Sequence, residues 1–237
     1  RKQLTPYTNT KSYDYLKKKP AFVFHHIIKC GGTSVHKELM KWFQIEWDFK
    51  AFSENDVYKN ENIYNKYKYN TGNFTSDSCM VSHFNTEGSY LHQRYPELMI
   101  NKDKFKIFAF VREPLELAIS LYYYKFQNDK EQLQKFKLRN FLEYHYNLLA
   151  LQFPCDKNNY KEVLDRYFFI GLVEKMQESF DKLADLTGKK RIKLPVANKS
   201  IKDSQVEELK KDTEFIKEFK KRNFIDYLVY DYCKEKF

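Results

Sequence analysis

The sequence predicts a single α/β domain in which a mostly parallel sheet is flanked by helices on both faces. Three observations predict it. Short apolar runs alternate with stretches of helical spacing, a Gly-Gly turn follows the first run where a strand would pass into a helix, and 237 residues suit one large domain.

Residues 1–20 are polar, contain Pro6 and Pro20 and show no apolar period, so they read as an N-terminal arm leading into a domain over 21–237. Ala21 to Ile28 (AFVFHHII) is a β-rich apolar run that stops at Gly31-Gly32. A run without alternation suits a strand buried on both faces, and we expect it at the centre of the sheet. Val35, Leu39, Met40 and Phe43 then recur at helical spacing over Thr33 to Phe43. Residues 50–76, rich in Asn, Tyr and Lys, read as an excursion over the surface.

Cys79 to Phe84 and Phe105 to Val111 (FKIFAFV) are the second and third strands, both expected to be parallel. Pro114 stands where a first helical residue belongs, opening a helix to about Tyr124. A long helix is expected over 131–151, a fourth strand at Tyr167 to Val173 (YFFIGLV) and a helix over 174–186. A last helical stretch covers 203–233, with Ser204 and Glu207 in capping-box spacing.

Hydrophobic residues at 42%, with 19 Tyr and 21 Phe, supply a core and exclude a disordered chain. The net charge of +10 favours anionic partners, although Lys-rich runs such as Lys17-Lys18-Lys19 equally suit solvated surface. Cysteines 30, 79, 155 and 233 form no C-x-x-C pair and no zinc-ligand spacing, so they read as reduced thiols and no metal site is expected. No run approaches the roughly 20 apolar residues that span a bilayer. The expected location is the cytoplasm, with the Golgi lumen as the alternative if an anchor precedes Arg1.

The most informative segment is the passage from the first strand through Lys29-Cys30-Gly31-Gly32-Thr33-Ser34 into a helix. Two glycines permit a tight turn that points N–H groups inward, and the helix directs its positive end at the same spot, which makes a phosphate cradle. It is not a Walker A loop, because the Lys precedes the glycines. Arg112 stands at the carboxyl end of the third strand, where open α/β sheets bind ligands, and is placed to clamp a phosphate. Ser120, eight residues later on the helix, adds a hydroxyl.

KCGGTS after one strand and REPLELAIS after a later one resemble the 5′-phosphosulfate loop and the 3′-phosphate motif of the sulfotransferases that use 3′-phosphoadenosine-5′-phosphosulfate (PAPS). The style is that of the heparan-sulfate 2-O/6-O and bacterial carbohydrate-type branch. FFIGLVEKMQESFDKL and NFIDYLVYDYC are similar too, so the likeness spans most of 21–233. It implies a P-loop-like fold with Lys29, Cys30, Gly31, Gly32, Thr33 and Ser34 on the phosphosulfate and Lys29 stabilising the leaving phosphate. It also implies Arg112 and Ser120 on the 3′-phosphate, and PAP as the product. Cys30 stands where the family commonly has Thr, and Leu117 where it often has a second Arg.

Sulfuryl transfer asks for in-line positioning, charge neutralisation on the leaving group and a base for the acceptor hydroxyl, and no metal is required. Of six histidines, His83 at the end of the second strand sits where related carbohydrate sulfotransferases carry a catalytic His; it is the expected base, with His92 in reserve. His25 and His26 read as mid-strand structural residues. The basic segment Gly188 to Ser200 reads as a solvated linker, or alternatively as a closure over the nucleotide or a receiver for an anionic acceptor.

The expected partner is a hydroxyl-bearing acceptor: an anionic carbohydrate, another sugar, a small metabolite or a tyrosine phenol. A nucleotide kinase is disfavoured by the missing Gly-Lys-Ser/Thr and the missing Mg²⁺-binding Asp. A polyanion- or nucleotide-binding module without activity is the other alternative, and no nucleic-acid motif supports binding of DNA or RNA.

Overall fold

The computed structural model describes residues 20–48, 68–85, 87–126, 136–195 and 204–237. The N-terminal arm and most of the expected excursion lie outside the described residues. Five parallel strands form one sheet in the order β2-β3-β1-β4-β5: β1 is Ala21–His25, β2 Gln44–Trp47, β3 Ser78–Ser82, β4 Phe105–Val111 and β5 Phe169–Leu172. The helices are α1 (Gly32–Leu39), α2 (Leu91–Arg94), α3 (Pro96–Ile100), α4 (Pro114–Phe126), α5 (Leu138–Tyr144), α6 (Leu148–Gln152), α7 (Tyr160–Leu164), α8 (Met176–Thr187), α9 (Ser204–Lys211), α10 (Thr213–Arg222) and α11 (Phe224–Lys236).

The first strand is central, as its unbroken apolar run predicts. Phe22 and Phe24 enter the core on one face of the sheet, while Ala21 and Val23 enter the core on the other. The first face packs Phe24 on Phe108, with ring centroids 5.1 Å apart, and continues to Trp42 stacked on Phe180 at 4.5 Å. The second face carries Met80 and Ile107 under Leu98 and Tyr95. A third cluster joins α4, α5, α9 and α10.

Three features differ from the sequence expectation. The edge strand β2 (QIEW) has no apolar run to betray it; an edge strand buries little, and here its order comes from the bonds that follow it. Asp48, next after β2, pairs with Arg94 of α2 through two hydrogen bonds of 2.7 and 2.8 Å, both side chains being buried. Within the described part of 131–151 the chain makes α5 and α6 rather than one helix. Asn147 between them adopts a left-handed φ of 51°, and the buried Asp226 of α11 accepts hydrogen bonds from the Leu149 and Ala150 amides to cap α6. The 203–233 stretch is likewise three helices, interrupted where Asp212 caps α10 through the Phe215 amide and at Asn223, whose side chain bonds the Phe219 carbonyl.

On the β5 side, Gly171 allows α8 to approach closely, since a Cβ there would lie 2.7 Å from Phe110 and 2.8 Å from Ser179 Cβ. Ser179, fully buried, uses its hydroxyl twice: it accepts from Leu172 N at 2.9 Å and donates to Leu172 O at 3.0 Å. These bonds supply the edge strand with partners that a neighbouring strand would otherwise provide. Ser179→Ala leaves both backbone groups buried and unpaired, so unfolding in urea should show a loss of about 1–3 kcal/mol with an unchanged m-value.

Candidate active site

Because all five strands are parallel, their carboxyl ends lie on one edge, and the register aligns His25 of β1 with Ser82 of β3 and Ala109 of β4. The next residues along each strand therefore emerge together: the loop from His26 to Gly31, then His83, then Arg112. His26, Ile28, Lys29, Gly31, His83 and Arg112 line one cleft of about 650 Å³ with Gly32, Thr33, Ser34 and Ser120.

The loop is shaped by backbone strain. Lys29 and Gly31 both adopt left-handed φ angles, of 59° and 75°. The Lys29 angle is uncommon for a residue with a side chain and persists only where the surroundings over-determine it. Gly31 is the N-cap of α1 without any side-chain cap; Ser34 N and Val35 N both donate to its carbonyl, at 3.1 and 3.2 Å, while the Gly32 and Thr33 amides before them have no carbonyl one turn behind. Gly31 is required by its φ, and Gly32 by the close approach of the His26 ring. A Cβ on Gly31 would lie 2.2 Å from Met176 Cε, and one on Gly32 would lie 1.8 Å from His26 Nε2.

Cys30 is not brought into the cleft. Its side chain is 1% exposed within the main core, its amide already bonds the Ile27 carbonyl at 3.2 Å, and burial raises its thiol pKa, so it is a packing residue inside the loop. Leu117 is also buried in the core and faces away from the cleft. Arg112, Glu116, Ser120 and Tyr124 instead follow one stripe at four-residue spacing, and three of them, Glu116 excepted, line the cleft.

Lys29 holds its ammonium 4.3 Å from the centroid of the Tyr124 ring. Partial burial, and then the nearby Arg112 charge, lower its pKa from the usual lysine value. Arg112 approaches Glu116 at 3.7 Å. The turn that carries Arg112 is held from the other end of the chain: Glu113 N donates to Glu174, while Tyr227 and Tyr230 of α11 donate to Glu113 and Glu174 at 2.7 and 3.1 Å. Glu113 also caps α4 by accepting from the Glu116 amide.

His83 is half-buried, and its Nδ1 lies 2.7 Å from the His26 carbonyl oxygen. A carbonyl only accepts, so neutral His83 carries its proton on Nδ1 and its lone pair on Nε2. Burial lowers its pKa, partly offset by that hydrogen bond, so the ring is mostly neutral near pH 7. The His26 ring stands 4.5 Å from the His83 ring and against Gly32. Burial, and then His83, push the His26 pKa down to about 3.

The strand ends at His25, so His26 is not mid-strand but a wall of the cleft. His25 is buried and bonded to the Tyr167 hydroxyl at 2.8 Å, as a structural residue. His92 is elsewhere, beside Leu91, Gln152 and Phe153, and does not line this cleft. The sequence reading did not single out Met176 or Gln177, which line it, and the run Lys193, Leu194 and Pro195, from the segment read as a solvated linker or alternatively as a closure over the nucleotide, lines it too. Gln177 fixes that run by donating to Ile192 O and accepting from Leu194 N. The described part of the basic segment is thus docked on the cleft rather than a free linker, and 196–200 lie outside the described residues.

The family model described as "Sulfotransferase family" matches residues 15–233. The chain belongs to the sulfotransferase family. Two solved sulfotransferases resemble it: one from Alicyclobacillus acidocaldarius, at 17% identity over 90% of this chain and 96% of that one with a TM-score of 0.45, and mouse SULT7A1 complexed with PAP, at 13% identity over 92% and 89% with a TM-score of 0.45. No curated protein sequence matches. Among the described residues of this sulfotransferase, no group of three His, Cys, Asp or Glu side chains is arranged to hold a metal ion, and no helix is long and apolar enough to cross a membrane.

The contact between His26 and Gly32 yields a test. Gly32→Ala should lower stability by about 1–3 kcal/mol through overpacking. Adding His26→Ala makes room for the new methyl, and the double variant should recover part of that loss in thermal unfolding; strictly additive losses would show that the ring is not what the methyl meets.

Proposed function

We propose that this sulfotransferase takes its sulfuryl group from PAPS and passes it to an acceptor hydroxyl, with His83 as general base. The observation that carries the reading is the convergence in one cleft of the α1 loop with Lys29, the pair Arg112 and Ser120, and a histidine whose Nδ1 is held by the His26 carbonyl. One anion site would suit any nucleotide. Two suit a nucleotide with phosphate at both 5′ and 3′ positions.

In this scheme the acceptor oxygen forms a bond to sulfur as the bond from sulfur to the 5′-phosphate oxygen breaks. The electron pair stays on that oxygen, where Lys29 and the α1 amides balance it, and the hydroxyl proton passes to His83 Nε2. His83 stands on the β3 side of the cleft and Arg112 on the β4 side, so the acceptor enters opposite the nucleotide. A sugar hydroxyl, including that of an anionic carbohydrate, fits this scheme, as does the hydroxyl of a small metabolite.

Arg112→Ala should weaken PAP binding by calorimetry at least about tenfold while AMP affinity barely changes; equal weakening of both would remove Arg112 from the 3′-phosphate. His83→Gln should reduce turnover about 10²–10⁴-fold with PAP affinity kept. Since protonation disables the base and burial depresses its pKa, wild-type kcat/KM should rise with pH through a value below 6.5 and then level off. That limb should vanish in the variant, and an unchanged pH profile would dismiss His83.

A further inference from the structure

Tyr124 lies in the same cleft but has no part in the scheme above. It stands one helical turn beyond Ser120 on α4, 48% exposed, and the Lys29 ammonium rests over its ring face at 4.3 Å from the centroid. That distance is well inside the range of about 6 Å over which a ring quadrupole attracts a cation. We infer that Tyr124 is a positioning residue whose ring seats the Lys29 ammonium within the cleft, between the α1 loop and Arg112.

Two observations explain why a seat is needed. The left-handed backbone at Lys29 fixes where its side chain begins, but four rotatable bonds leave the ammonium free to swing into solvent. The nearest charged wall of the cleft is also cationic, because Arg112 repels the ammonium. A carboxylate placed to hold Lys29 would neutralise the charge required for an anion. An aromatic face holds it without cancelling it, since the ring has no net charge and yields to a stronger anionic partner. Arg112, in the turn just before α4, and Ser120 and Tyr124 on α4 thus bring the proposed anion clamp and the seat to one side of the cleft.

The role assigned to Lys29 in turnover rests on the PAPS reading, but the pairing does not, so the test has two arms. In the first, Lys29 is labelled by an amine-reactive reagent at fixed pH and quantified by peptide mass spectrometry. Tyr124→Leu removes the attraction to the charged form while keeping apolar bulk, so Lys29 should react about two- to fivefold faster, whereas Tyr124→Phe should react as wild type. In the second arm, the Tyr124→Leu loss in kcat should disappear in a Lys29→Met background. Lys29 labelling that ignores Tyr124→Leu, or a Tyr124→Leu loss that persists at full size in Lys29→Met, overturns the inference. Labelling that responds while Lys29→Met turns over normally upholds the pairing and overturns instead the role of Lys29 in the reaction.

Discussion

The site depends on the reversal of the chain between His25 and Gly32. Two left-handed residues, Lys29 and Gly31, turn the end of the central strand back into α1 within six residues, which aims the helix start at the sheet edge instead of at solvent. Everything else in the cleft is fitted to that turn. His26 lies on Gly32, Met176 of α8 lies on Gly31, and Cys30 anchors the loop from below in the core. The strain of a non-glycine residue at positive φ is sustained because its neighbours on both sides are pinned.

The same turn couples the two halves of the chemistry. The His26 carbonyl fixes the tautomer of His83, while the His26 side chain packs on the loop that carries Lys29. The residue therefore links His83 to the loop that carries Lys29. Its half-buried ring is held neutral, so it adds no cation of its own next to His83.

Much of this was legible in the sequence, for identifiable reasons. The strands β1, β3 and β4 are buried along nearly their whole length and β5 in its second half, and their apolar runs announce them; β2 is an edge strand with Gln and Glu in four residues and does not. The helix breaks at Asn147 and Asn223 were not legible because their bonding partners lie 76 positions apart in the chain, Asn147 N donating to Asn223 Oδ1. Lys29, Gly31, Gly32, His83 and Arg112 could be placed at the cleft because they lie in the segments that follow β1, β3 and β4, and Ser120 because it lies on the helix after β4. Cys30 was misassigned because sequence adjacency does not say which side of a loop a side chain takes. Tyr124 carried a signal, its four-residue spacing from Ser120, whereas Lys193 to Pro195 enter the cleft only through the tertiary bonds of Gln177.

The hydroxyls of Tyr227 and Tyr230 hold the turn after β4 through Glu113 and Glu174, although more than a hundred residues separate Glu113 from Tyr227. A ribosome making this chain thus completes the loop, the sheet and the Arg112 stripe well before it makes the helix that steadies them. A truncation that removes α11 therefore leaves Glu113 and Glu174 without those two hydroxyls, and the turn that carries Arg112 without its far anchor.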